Sequence, residues 1–158
     1  MSIYPIDKLI TETRRLAAEF RRSTGQALPV SGEIARYDAA RLLGLTLCDQ
    51  RTGGVDAIGT GQREGQRIQI KSRVIINEKK SGARIGQLNT NGEWDAVVLV
   101  IMDSDYEPCE IYEAERNEVL QALSDHSNRT RRGALSVTKF KMISWLAWTR
   151  ETGLETQR

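Results

Sequence analysis

The sequence predicts an α/β domain, a mixed β-sheet flanked by helices. Three observations carry this. Helical periodicity near both ends brackets a central set of strand-like segments. Residues 96–102, AVVLVIM, form an unbroken apolar run of strand length and β-branched content, the pattern of a strand buried on both faces. The segments on either side of GTGQREGQ are arranged as a β-hairpin. At 158 residues, 39% hydrophobic and 28% charged, the chain has the size and composition of one folded domain. Neither a repeat nor a long linker divides residues 1–158.

Each element follows from its own pattern. Residues 5–23 read as an amphipathic helix. Ile6, Leu9, Ile10, Thr13, Leu16, Ala17 and Phe20 recur at three and four, and Arg14, Arg15, Arg21 and Arg22 fall mostly off that stripe. Pro5 suits a first helical turn. After the turn-rich STGQALPVSG, Ser31 is placed to N-cap a helix over 32–43, with Ala35, Ala39, Leu42 and Leu43 inward and Gly44 ending it. Short strands follow at 45–49, 55–59 and 67–76, then a polar, glycine-containing loop over 77–93. Strands at 94–102 and 110–114 precede a helix over 116–124, with Val119, Leu120 and Leu123 inward. Residues 126–133 are a loop, and 136–150 form a last short strand or helix in which Trp145 and Trp148 are spaced like one helical face. The order is α-α-β-β-β-loop-β-β-α-α, which folds as layers of helix on sheet.

Composition excludes several classes of function. No apolar run approaches the roughly 18 residues of a membrane span. A mean hydropathy of −0.45 suits a soluble chain, and the first residues lack the apolar core of a secretory signal. Cys48 and Cys109 stand far apart, which argues against a disulfide framework or a zinc cage and suits a reducing cytoplasm. They read as small buried hydrophobes. The single histidine, His126, rules out a multi-histidine metal site. Net charge is only +2, but its distribution is uneven. Residues 93–118 carry nine acids against Arg116 alone. Residues 71–84 carry Lys71, Arg73, Lys79, Lys80 and Arg84 against Glu78, and residues 126–141 carry Arg129, Arg131, Arg132, Lys139 and Lys141 with no acid. Segregation of this kind can build a basic face that attracts polyanions, or can simply be solvated surface.

One stretch concentrates chemistry. GEIARYDAARLLGL, GGVDAIG and RIQIKSR put Glu33 at a helix start, Asp56 on a strand, and Gln69 and Lys71 two apart on the next strand. Strand residues i and i+2 share a face, so Gln69 and Lys71 project together, opposite Ile68 and Ile70. Across the hairpin, neighbouring strands lie about 5 Å apart, so Asp56 can stand beside Gln69 where register allows. Taken singly, each residue has a plainer reading. Asp56 can cap the turn after Gly53 and Gly54, Lys71 can snorkel from an edge, and Glu33 can complement a helix dipole.

The three motifs together resemble the PD-(D/E)xK nuclease superfamily, the restriction-endonuclease-like fold. The similarity is to its Mrr-like and Holliday-junction-resolvase-like branches and covers roughly residues 32–73. The resemblance implies a metal-dependent DNA endonuclease using Mg2+ or Mn2+, serving restriction, phage defence or repair. It implies catalytic roles for Glu33, Asp56, Gln69 and Lys71. Asp56, Glu33, Gln69 and Ile70 form the implied metal set, and Lys71 lies beside the attacking water. Two departures from the family pattern stand out: Val55 in the place of proline, and Gln69 in the place of an acid. Phosphodiester hydrolysis itself asks for a hard cation, oxygen ligands and a positive donor near the phosphate, which these residue types supply.

The basic runs fit the same reading. Lys79, Lys80 and Arg84 follow the QIK strand, and Arg129, Arg131 and Arg132 approach from elsewhere, as nucleic-acid-binding residues that hold phosphates without reading sequence. One site cuts one strand, so duplex cleavage calls for a homodimer, with Trp145 and Trp148 as contact residues. Two alternatives remain: a catalytically inactive module of this fold that binds nucleic acid or protein, and a structural subunit docking through its acidic segment.

Overall fold

The computed structural model describes residues 5–76, 83–125 and 134–155. Lys79, Lys80, His126, Arg129, Arg131 and Arg132 lie outside the described residues. Helix α1 (Ile6–Thr24) and helix α2 (Ser31–Leu43) lead into strands β1 (Leu45–Leu47), β2 (Ala57–Gly59) and β3 (Arg67–Val74), with a short 3-10 turn at Gly61–Arg63. Then come β4 (Ala96–Met102), β5 (Pro108–Glu115), α3 (Arg116–Ser124), α4 (Val137–Ile143), β6 (Trp145–Thr149) and β7 (Gly153–Leu154). The strands form one sheet in sequence order, β1 to β7. Only β3 and β4 run parallel, and every other neighbouring pair is antiparallel. The α/β class matches the pattern of the sequence, and so does the element order as far as α4; the two closing strands, β6 and β7, extend the sheet beyond the order the sequence pattern gave.

The all-apolar strand sits where its composition requires. All seven residues of β4 are buried. Ala96, Val98, Val100 and Met102 face a core built with α2, containing Ile34, Ala35, Ala39, Ile68 and Ile70. Val97, Leu99 and Ile101 face the opposite core with Leu88, Val119 and Phe140. Period-two alternation therefore splits one strand between two layers. Burial of this kind contributes about 1.5–3 kcal/mol per large aliphatic side chain.

Several local expectations are corrected. Val30, not Ser31, is the N-cap of α2, and the Ser72 hydroxyl donates to Ser31 Oγ at 3.2 Å instead. Pro5 caps α1 rather than entering its first turn. Residues 136–150 divide into α4 followed by β6. In β6 Trp145 opposes Glu113 and Trp148 opposes Ile111, and the register slips by one residue between them. The slip brings both tryptophans to one sheet face, a strand bulge doing what helical spacing suggested. Both are half-buried and Trp148 packs on the first core, so that side chain serves the protein's own interior. Cys48 and Cys109 are half-buried, not enclosed.

The β3–β4 crossover is anchored more firmly than its polar composition suggests. Ile85 and Leu88 are buried in the second core. Arg84 bridges to Ser136, and the Trp94 indole donates to Asn89 O at 2.7 Å. Arg116, the lone cation of the acidic stretch, donates to the carbonyls of Gly92 (2.9 Å), Trp94 (2.7 Å) and Thr90 (2.8 Å) and lies 4.5 Å from the centre of the Trp94 ring. One guanidinium thus satisfies three loop carbonyls that no strand pairs.

Helix α1 departs most from its sequence pattern. Its buried side holds Ala17 and Ala18, with Ile10 packing on the core. Arg14 turns inward to form a two-pronged pair with buried Asp38 (2.6 and 2.8 Å) and to donate to Tyr106 O at 2.7 Å. Leu16 is 54% exposed and Ile6 48%. The apolar stripe lies largely outside the domain.

Candidate active site

Asp56 is held by the end of the β2–β3 ladder. Ala57 pairs with Ile68, which brings Asp56 just beyond the last ladder pair of β2, at the level of Gln69 and Ile70. The Asp56 N–H donates to Ile68 O (2.8 Å), and the Ile70 N–H donates to Asp56 Oδ2 (2.8 Å). The carboxylate thus takes the place along β3 that a further carbonyl of β2 would occupy. Asp56 precedes β2 rather than lying within it, so the plain turn-cap reading is replaced by a bond across the hairpin.

Upstream, the turn that delivers Asp56 depends on glycine. Gly53 and Gly54 have φ of 63° and 77°, a conformation that L side chains resist. A Cβ on Gly54 would come within 3.1 Å of Trp94 Cδ1 and 3.2 Å of Gln69 Nε2. The missing side chain lets Gln69 pack between the turn and the crossover loop. Gln69 is 7% exposed, and its Oε1 is buried with no hydrogen-bond partner. A buried acceptor in that state is costly unless a donor or cation meets it.

Glu33 opens α2 and projects toward the same region. Its Oε1 accepts from Arg51 at 2.6 Å, and its Oε2 lies 3.3 Å from Arg36. The same two arginines approach Asp56 Oδ1, Arg36 Nε at 3.5 Å and Arg51 at 4.0 Å. Glu33 and Asp56 are therefore brought together by shared guanidinium partners. Burial raises the Glu33 carboxyl, but the Arg51 hydrogen bond and the charges of Arg51 and Arg36 outweigh it and hold the group below its ordinary range. Arg36 also donates to Cys48 O at 3.4 Å, while its Nε is buried without a hydrogen bond.

Lys71 completes the cluster. Burial pushes its ammonium below the ordinary lysine range, and the Asp56 charge pulls it partly back. Its Nζ donates to Gln87 O at 2.8 Å. A Cβ on Gly86 would stand 3.5 Å from Nζ, so the crossover loop runs directly past the ammonium. Exposed Arg84 lies two residues upstream on that loop and donates to Ala134 O at 3.4 Å. The Ile70 side chain belongs to the first core, so only its main chain adjoins the site.

The donor chemistry suits a hard cation. Asp56, Glu33 and the unpartnered Gln69 oxygen are all oxygen donors, the type magnesium and manganese take. Among the described residues no group of three or more His, Cys, Asp or Glu side chains is placed to hold a metal. The two carboxylates brought together here, Glu33 and Asp56, are both already engaged by arginine. Arg51, with about half its side chain exposed, is the guanidinium a cation would displace. Arg36 and Arg51 are the residues that sequence reasoning missed. The Glu33–Arg36 spacing of three was the one visible signal.

No family model matches the chain, and no curated protein matches it.

Proposed function

We propose that the protein is a metal-dependent DNA endonuclease with a restriction-endonuclease-like domain, acting as a homodimer in the cytoplasm. The observation that carries the reading is the convergence of Asp56, Glu33 and Lys71 at the β2–β3 hairpin, beside a buried Gln69 oxygen that lacks a partner. Further support comes from the β1–β2–β3 meander followed by a parallel β4, which holds these residues on adjoining elements.

Asp56, Glu33, Gln69 and the main chain at Ile70 would hold Mg2+ or Mn2+. The bound ion supplies Lewis acidity toward the phosphate and lowers the pKa of a water. The chain's own contributions are specific. The Ile70 N–H fixes one carboxylate oxygen of Asp56 and leaves Oδ1 facing the site. Lys71 has three ammonium protons and spends one on Gln87 O, so two remain for a non-bridging phosphate oxygen as charge builds there. Arg84 would grip the DNA backbone, together with Lys79, Lys80, Arg129, Arg131 and Arg132, by charge and without reading bases.

The charge balance favours a second reading, a module of the same fold that binds nucleic acid without cutting it. Arg36, Arg51 and Lys71 outnumber Asp56 and Glu33, and Gln69 adds no charge. Such a cluster attracts phosphate with no metal present. Nicking of plasmid DNA in Mg2+ or Mn2+, beside gel-shift binding in EDTA, separates the two. The nuclease reading expects Asp56→Ala and Lys71→Ala each to lose at least about 100-fold in cleavage while retaining DNA binding. Full activity in either variant would remove the site assignment.

A further inference from the structure

The outer face of α1 (Ile6–Thr24) carries Ile6, Leu9, Leu16 and Phe20, exposed by 48, 39, 54 and 37%, with Thr13 between them. These positions step by three and four along one side of the helix, the seam spacing of a two-helix contact. The helix does not use this seam to join its own domain. It is fastened by small residues, Ala17 and Ala18, by the Arg14–Asp38 pair, and by Arg21 to Ser104 O and Arg22 to Asp105. Burying alanines and an ion pair while leaving four large apolar side chains outside is an inversion that calls for a second surface.

We infer that this seam is the contact face for a second copy of the chain, with the two α1 helices antiparallel about a dyad at Thr13. The identity of the partner follows from the pattern's self-complementarity. Rotation about Thr13 sets Ile6 against Phe20 of the second copy and Leu9 within one residue of Leu16 of the second copy. The charged row along one flank, Lys8, Glu12, Arg15 and Glu19, obeys the same rotation. Lys8 falls within one residue of Glu19 of the second copy, and Glu12 within one residue of Arg15 of the second copy. Each cation thus stands near an acid of the second copy, with the two-fold making every such contact twice, and Glu19, which pairs with Arg22 at 2.6 Å within its own chain, would share its carboxylate between the two cations. Within one chain Arg15 already pairs with Glu12 at 3.0 Å, so the contact would extend this pair into a four-membered network. Exposed charges of this kind set register more than affinity. The helix is about 28 Å long, and the contact along it is narrow, so dimerisation is expected in the micromolar range. The inference gives the homodimer of the proposed function a contact face, and because no site residue takes part, loss of the dimer and loss of cleavage are read separately.

Sedimentation and light scattering across the micromolar range test it, using the full chain. The wild type should pass from monomer to dimer with rising concentration. Leu16→Glu changes a side chain that is already exposed, so the fold should persist by circular dichroism while the dimer dissociation constant rises at least about tenfold. Thr13→Cys should cross-link to itself under mild oxidation, while Ile6→Cys should not. A monomer throughout, or a dimer indifferent to Leu16→Glu, would overturn the surface. Self-cross-linking of Ile6→Cys would overturn the antiparallel register.

Discussion

Gln69 and Arg51 show how single side chains set the chemistry of this site. The Gln69 oxygen is buried without a donor, an arrangement that normally costs about 1–3 kcal/mol. Gln69→Glu retains the shape and adds a charge facing Lys71 and the cation position. If a divalent ion is held here, its affinity should rise on the order of tenfold. The added attraction, about 4 kcal/mol for a charge pair at ~4 Å in a medium of effective dielectric 20, is largely offset by the burial of the new carboxylate. Calorimetric titration with Mn2+ reads this directly, and unchanged binding would detach Gln69 from the metal set. Arg51→Ala is the complementary change. It removes the hydrogen bond that does most to oppose burial at Glu33, so the Glu33 carboxyl should titrate closer to its ordinary range, by carbon-detected NMR. Because this pair is half exposed, stability should change by no more than about 1 kcal/mol. A Glu33 titration identical to wild type would show that Arg51 does not hold the carboxylate in solution.

At the level of elements, two polar clamps replace contacts that hydrophobic patterning would lead one to expect. Arg14 is mostly buried and Asp38 nearly wholly so, at 13 and 2% side-chain exposure. Arg14→Ala would leave the buried Asp38 carboxylate with only the exposed Arg41, at 3.5 Å, as a cation partner and should cost about 3 kcal/mol in urea denaturation. A loss under 1 kcal/mol would mean that α1 is held by its apolar residues after all. The β4–β5 turn has a different clamp. Asp103 accepts from the N–H groups of Asp105 (2.8 Å) and Glu107 (3.1 Å) and from Arg150 (2.8 Å). Burial raises its carboxyl, but these bonds and the Arg150 charge outweigh that and hold it below the ordinary aspartate range. A group whose folded pKa is depressed stabilises fully above its unfolded pKa and loses that contribution as pH falls through the folded value. The wild type should therefore lose stability on going from neutral pH to about pH 3, and Asp103→Asn should lose about 1 kcal/mol less over the same interval. Equal acid sensitivity of the two proteins would contradict the assignment.

Across the whole molecule, what could be read in advance was whatever has a local pattern. The unbroken apolar run of β4, the glycine-bounded hairpin and the helix of residues 116–124 each announce themselves within a few residues. The site was legible in part for the same reason, since Gln69 and Lys71 are two apart on one strand and the GGVD turn precedes them. Long-range polar bonds leave no such local pattern. Nothing near Arg14 in sequence points to Asp38, 24 residues away, so the helix face that looked polar turned inward. Arg51 sits in a turn that resembles any solvated turn, yet it reaches Glu33, 18 residues upstream. The crossover loop looked polar throughout because its anchors, Ile85, Leu88 and the carbonyls bound by Arg116, are scattered among surface residues. Among the described residues, no helix is long and apolar enough to cross a membrane.

On the proposed function, the Asp56–Glu33–Lys71 cluster cuts DNA with a divalent ion. The most direct measurement is plasmid nicking by the purified wild-type chain in Mn2+ and in Mg2+, run beside Asp56→Ala and beside an EDTA control. Nicking should depend on metal, be stronger in Mn2+ because Glu33 and Asp56 supply the charge at the site, and disappear in Asp56→Ala although the variant still shifts DNA. Retention of DNA binding with no cleavage by the wild type in either metal would contradict it and leave the arginine-rich cluster as a phosphate-binding site alone.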